Sequence, residues 1–213
     1  MCGILGLCLN AGKIEENIFL DALNLMHHRG PDAEGVHVNS SKTISLGFKR
    51  LSIIDLSDHA NQPFYSPCKN FILIFNGEIY NFKYLKKQLI NKGYIFSTNS
   101  DSEVLLNSYI EWGNKCLDTI KGMFAFAILD MNKNEIFLAR DFAGEKPLYY
   151  SDHNGCLYFS SELKPIIYLN GNLKKLNSEQ IINYFSAGYV SGDSSIFSNI
   201  QKLPPAHSLT YNL

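Results

Sequence analysis

The chain has 213 residues, 46% of them hydrophobic and 18% charged, which supplies a substantial core and excludes a disordered segment. A formal net charge of -1 argues against nucleic acid as the main partner, and no apolar run approaches the roughly 18 residues of a membrane span. The five cysteines (2, 8, 68, 116 and 156) are odd in number and lack C-x-x-C spacing, so they read as reduced thiols of a cytoplasmic protein rather than a disulfide framework or zinc site.

The N-terminal "MCGILGLCL" predicts a strand over Gly3–Leu9, with no basic segment ahead of it to make a secretory signal. Cys2 directly follows the initiator methionine, so loss of Met1 would leave a thiol and a free α-amine on one residue. A helix is expected over Glu15–His28. Arg29-Gly30-Pro31 stops it, with Gly30 as the left-handed terminator and Pro31 as the breaker. A strand over Thr43–Asp55 carries Arg50. The apolar strand Phe71–Asn76 runs into Asn76-Gly77, which reads either as a tight hairpin turn or as two N–H donors able to hold an oxyanion. Helices follow over Phe82–Lys92 and Asp101–Trp112. The second opens on a capping-box pattern, Ser100 with Glu103. Strands are then expected over Ala125–Asp130, Glu135–Ala139, Pro147–Ser151 and Cys156–Ser160, with the loop around Gly144 turning a hairpin. A last helix is expected over Ser178–Phe185. Strands gathered in runs favour sheets with helices outside them over a βαβ alternation, and the whole chain reads as one domain without repeats or linkers.

Each reactive residue has an ordinary structural explanation. A cysteine at a strand end is a common small hydrophobe, an arginine on a strand can pair at the surface, and an aspartate in a first helical turn is favoured by the helix dipole. Taken together they offer more. Arg50 suits a carboxylate, Asp101 an ammonium group, Asn76 and Gly77 an oxyanion, and Cys2 is a nucleophile. A free amino acid with a side-chain carbonyl would use all four.

Eight motifs occur in order: Cys2-Gly3-Ile4, His28-Arg29-Gly30-Pro31-Asp32, Arg50-Leu51-Ser52-Ile53-Ile54-Asp55, Asn76-Gly77-Glu78-Ile79-Tyr80-Asn81, Ser100-Asp101-Ser102-Glu103, Gly122–Ala127, Arg140-Asp141 with Gly144 and Lys146–Tyr150, and Ser161–Lys164. Together they resemble the N-terminal glutaminase domain of glutamine-dependent asparagine synthetases, a class II glutamine amidotransferase and N-terminal-nucleophile hydrolase. The resemblance implies an α+β fold, a four-layer α/β/β/α sandwich of two antiparallel sheets, with 1–213 as the glutaminase domain. It implies Cys2 as nucleophile with its own α-amine as base, and Asn76 and Gly77 as the oxyanion hole. Arg50, Ile53, Asn76, Glu78 and Asp101 would bind the substrate. Gly30-Pro31 and the Gly144 loop would be structural. The implied reaction releases glutamate and ammonia from glutamine, the ammonia feeding an ATP-dependent synthetase domain that amidates aspartate and is absent from this chain. No metal and no cofactor are expected here; ATP and Mg would belong to the missing domain. That domain would be the partner, in the full-length protein or as a separate chain, and a homodimer is compatible with the resemblance. A related amidotransferase acting on another acceptor, such as a sugar carboxylate, and a catalytically silent binding or regulatory domain are the alternatives. Two positions depart from the pattern: Phe48 where such domains often carry His, and Phe142-Ala143 where a basic residue and Phe are common.

Overall fold

In a computed structural model, residues 1–53 and 60–213 are described. Two antiparallel sheets stack face to face. The first is built from β1 (Gly3–Cys8), β2 (Ala33–Val38), β3 (Ile44–Arg50), β8 (Tyr149–His153), β9 (Cys156–Ser160) and β10 (Gln201–Lys202), in the order β10-β8-β9-β1-β3-β2. The second contains β4 (Phe64–Tyr65), β5 (Phe71–Ile79), β6 (Gly122–Asp130), β7 (Glu135–Arg140) and β11 (Ser208–Asn212), in the order β11-β7-β6-β5-β4. Helices α1 (Glu16–Asn24) and α4 (Leu163–Leu169) cover the outer face of the first sheet. Helices α2 (Phe82–Asn91) and α3 (Asp101–Trp112) cover the second. The four-layer α+β sandwich implied by the resemblance is therefore the fold. A further helix, α5 (Ser178–Ala187), follows near the end. Among the described residues no helix is long and apolar enough to cross a membrane.

Side-chain alternation builds the layers. Along β6, Phe124, Phe126 and Ile128 point to the α2/α3 layer, while Ala125, Ala127 and Leu129 point between the sheets. β5 divides in the same way, Leu73 and Phe75 outward and Ile72 and Ile74 inward. β1 places Ile4 and Cys8 between the sheets and Leu5 and Leu7 against α1, whose Phe19, Ala22 and Leu23 fall at helical spacing on one face, with Met26 just beyond its end in the same cluster. Strands buried on both faces must be apolar throughout, which is why these segments read as unbroken hydrophobic runs.

Several local expectations are corrected. The Asn76-Gly77 pair turns no hairpin: β5 passes straight through it to Ile79. The first helix ends at Asn24, and a 3-10 turn covers His27–Arg29. Gly30 follows that turn with an extended φ of -150° and is not a left-handed terminator. It is needed because a Cβ there would lie 2.4 Å from the Lys49 carbonyl carbon on β3. The Gly144 loop joins β7 to β8, strands of different sheets, so it is a crossing and not a hairpin. The capping box forms only in half. Ser100 Oγ accepts the Ser102 N–H at 3.1 Å, but the Glu103 carboxylate turns to the N–H and hydroxyl groups of Ser97 and Thr98. The strand expected to Asp55 ends at Arg50; Ile54 and Asp55 lie outside the described residues.

Gly6 marks the tightest side-chain packing between sheet neighbours. A Cβ on it would stand 1.9 Å from Phe159 Cζ, and Phe159 is fully buried on the adjacent strand. Overpacking of this kind costs about 1–3 kcal/mol. Gly6→Ala is therefore expected to lower Tm by about 2–12 °C for a domain of this size. Thermal denaturation followed by circular dichroism checks it; an unchanged Tm would mean the ring can move aside.

Candidate functional site

A cleft opens where the ends of the two sheets meet. It is lined by Cys2, Arg50, Ile53, Asn76, Gly77, Glu78 and Asp101, so every residue singled out from the sequence comes to one place. Its remaining walls include Met1, Leu51, Gln62, Ser102, Met123 and Lys146. A second cavity, about 300 Å³, lies elsewhere among the described residues, beside Cys8, Asn10 and Leu213, and contains none of these residues. Among the described residues no group of three or more His, Cys, Asp or Glu could hold a metal ion.

Cys2 precedes β1 and is half-buried. Its Sγ accepts the Leu51 N–H at 3.3 Å and lies 3.6 Å from the Leu51 carbonyl. Burial pushes its thiol pKa up. The Leu51 N–H, the chain's N-terminal charge, Arg50 and Arg29 oppose that. The Cys2 carbonyl accepts the Arg29 Nε–H at 2.9 Å, and Arg29 is tied in turn to Glu162 at 3.2 Å. In the sequence Arg29 reads as part of a helix stop and of the His28–Asp32 motif, with no site role. Nothing local signalled its contact with Cys2, because the partners are 27 residues apart.

The edge of β5 organises the opposite wall. β4 pairs with β5 only at Leu73 and Ile72, so the edge beyond is not covered by a strand. Antiparallel alternation turns the N–H groups of Phe75, Gly77 and Ile79 to that edge. Consistent with this, Phe124, the ladder partner of Gly77, directs its own N–H and C=O to Asp141 on its other side. The flanking N–H groups are taken by side chains. Gln62 Oε1 accepts from Phe75 at 2.6 Å, and Asp101 Oδ2 accepts from Ile79 at 2.9 Å. Gly77 N–H lies between them. Beside it, Asn76 is 1% exposed and its Nδ2 is buried with no hydrogen-bond partner among the described residues. A buried amide N–H without an acceptor is costly, so this donor is suited to an oxygen brought by a ligand. Only glycine fits at 77, since a Cβ would lie 2.2 Å from the Met123 carbonyl oxygen.

The charged residues are held by neighbours. Arg50, at the end of β3, donates to Asn61 Oδ1 at 2.6 Å. Asp101 is the first residue of α3, 5% exposed. Ile53 is 68% exposed on the rim, and Glu78 is half-buried. Gln62 links two walls, since its Nε2 donates to the Phe75 carbonyl at 3.3 Å and to Ser102 Oγ at 3.2 Å. The arrangement sets a thiol opposite two N–H donors, with a guanidinium and a carboxylate nearby.

The chain belongs to the family described as glutamine amidotransferase domain, which matches residues 1–213. It is homologous to the glutaminase half of glutamine-hydrolysing asparagine synthetases. It is 35% identical to asparagine synthetase 1 of Bacillus subtilis over 99% of this chain and 33% of that protein, and 40% identical to asparagine synthetase B of Escherichia coli over 78% of this chain and 30% of that protein. The chain thus spans about a third of the length of these relatives. The fold matches the glutamine phosphoribosylpyrophosphate amidotransferase of B. subtilis, with TM-score 0.67 and 24% identity over 79% of this chain and 43% of that one. It also matches a structure described as the allosteric regulatory enzyme of purine biosynthesis, with TM-score 0.74 and 20% identity over 99% of this chain and 47% of that one.

Burial pushes the Asp101 carboxyl up to about 6 from its ordinary value of 3.8, against the opposing Ile79 N–H. The folded protein thus holds this proton more tightly than the unfolded chain, so stability falls as pH rises from about 4 to about 6 and levels off above. Asp101→Asn, whose amide oxygen can still accept the Ile79 N–H, is expected to flatten that part of the profile. Urea unfolding of both proteins between pH 4 and pH 7 measures it. Parallel profiles would assign the dependence to another group.

Proposed function

We propose that this chain hydrolyses the side-chain amide of glutamine, with Cys2 as nucleophile once Met1 is removed. The observation that carries the proposal is the unpartnered Asn76 amide beside Gly77, in the same cleft as the Cys2 thiol. Arg50 would take the substrate carboxylate, and Asp101 with Glu78 its ammonium group, with Ile53 at the rim. In the first half-reaction the Cys2 α-amine takes the thiol proton. The Sγ–C bond forms, and the carbonyl π pair moves to oxygen between Asn76 Nδ2 and Gly77 N–H. Collapse of that intermediate expels ammonia, which takes the proton back from the ammonium, and leaves a thioester. Water adds to the thioester by the same route, glutamate is released and the thiol is restored. An α-amine, with a pKa of roughly 7.7–8, suits this role at neutral pH.

The ammonia would then pass to an ATP- and Mg-dependent site that amidates aspartate, in the remainder of a longer protein or in a separate chain. The similarity to asparagine synthetases about three times the length of this chain supports that assignment. No metal or cofactor takes part in the glutaminase step as proposed, and a cytoplasmic setting suits a thiol nucleophile.

Glutaminase assays on protein of known N-terminus test the reading. Chain that starts at Cys2, verified by mass spectrometry, is expected to release ammonia from glutamine. Chain that retains Met1, and Cys2→Ala, are expected to fold normally and to be inactive. Normal turnover with Met1 in place would overturn the mechanism. Two further substitutions separate the roles. Asn76→Ala is expected to lower kcat by about 10²–10³ with little change in KM. Arg50→Ala should mainly raise KM, since its contact is used in ground and transition states alike. Steady-state kinetics showing the reverse pattern would exchange the two assignments.

A further inference from the structure

Lys146 lines the wall of the cleft, 8% exposed as a whole residue, and its ammonium makes no hydrogen bond or ion pair among the described residues. Its backbone, by contrast, is fixed at both polar groups. Its N–H donates to Asp141 Oδ2 at 3.0 Å, and its C=O accepts the Arg140 Nε–H at 2.7 Å. The same Asp141 oxygen accepts the Phe124 N–H at 3.2 Å, and Phe124 faces Gly77 across the β5–β6 ladder. Asp141 Oδ1 takes the Ala143 and Glu145 N–H groups as well. A firmly built loop thus places Lys146 beside the Gly77 end of the cleft, apart from Arg50, which is tied to Asn61.

An ammonium group has three donors and no acceptor, and the Lys146 ammonium gives none of them to a described residue, so they are available to a molecule in the cleft that supplies lone pairs. The cleft's own carboxylates do not do so. Asp101 is engaged by the Ile79 N–H, and neither it nor Glu78 forms an ion pair with Lys146. We infer that Lys146 reads negative charge at the acyl end of the substrate: the oxyanion as it develops, and the γ-carboxylate of the product glutamate. This rests on the glutaminase reading above and extends it to a residue outside the proposed nucleophile, oxyanion pair and amino-acid clamp. The neutral amide of glutamine gains little from the cation. The site would therefore distinguish product from substrate by charge at one atom, and the rate of the chemical step would depend on Lys146 more than substrate binding does.

Calorimetric titration of glutamate and of glutamine into Cys2→Ala protein, which binds without turnover, separates these effects. Adding Lys146→Met is expected to weaken glutamate binding by about tenfold or more, the loss of one charge-assisted hydrogen bond, and to change glutamine binding by less than about twofold. In protein with Cys2 intact, Lys146→Met should lower kcat by about tenfold at nearly constant KM, and Lys146→Arg should recover most of both losses. Thermal melts establish that each variant is folded. Equal weakening of both ligands would make Lys146 a second holder of the α-carboxylate and overturn the inference, as would no change in either. Absence of glutamine turnover in the unsubstituted chain, with glutamate binding still sensitive to Lys146, would instead strike the glutaminase reading alone. No binding of either ligand to the Cys2→Ala protein would overturn both.

Discussion

The bare edge of β5 is the constraint on which the cleft depends. A strand cannot leave its N–H groups buried and unpaired, and β4 stops too early to pair them. Side chains from two other parts of the chain complete the edge. Gln62 offers Phe75 both an acceptor and a donor, as a neighbouring strand would, and Asp101 takes the N–H of Ile79 from the first turn of α3. The segment before β4 and the helix α3 are thereby fixed against β5 at points two residues either side of Gly77. Position 77 is the gap left in this substitute pairing. The site is in this sense an interruption of a sheet edge, held open by the bonds on both sides of it.

The first sheet contributes the thiol through a different device. Cys2 stands just before the first residue paired in β1, where the ladder to β3 begins at Gly3 and Lys49. Its sulfur meets the backbone of Leu51 just beyond the end of β3, and its carbonyl is held by Arg29. Cys2 is therefore held at two points, its sulfur by the Leu51 backbone and its carbonyl by the Arg29 side chain. Burial that raises the thiol pKa and nearby positive charges that lower it act on the same atom, a balance suited to a thiol activated only in the presence of a base.

The sequence was most legible where a strand is buried on both faces. The expected strands Phe71–Asn76 and Ala125–Asp130 both lie within observed strands, β5 and β6, each of which runs three residues further. It was least legible at the margins. The edge strand β2, "AEGVHV", is half-exposed and carries a glycine and a histidine, and β11, "SLTYN", lies at a sheet border. Helix α4 contains Pro165 in its first turn, where proline is tolerated but which sequence reasoning treats as a break. Asn76-Gly77 was ambiguous because the same dipeptide serves a hairpin or an extended strand, and only the pairing of β6 decides between them. The residues that line the cleft were legible as a set, because their motifs occur together. Arg29, Gln62 and Lys146 were not, because what distinguishes them is what they touch across the fold.

The crossing from β7 to β8 carries a consequence of its own. Asp141 gathers four backbone N–H groups, and Arg140 binds the carbonyls of Gly144, Lys146 and Leu203. The conformation of the crossing is thus encoded in two side chains at its entrance, and the residues at its tip contribute only backbone. Phe142 is 88% exposed. Positions 142 and 143 can therefore change identity without moving Lys146, and Phe142-Ala143 is one of the two places where the sequence departs from the pattern it resembles. Variation is tolerated at the tip because the shape is dictated from the base.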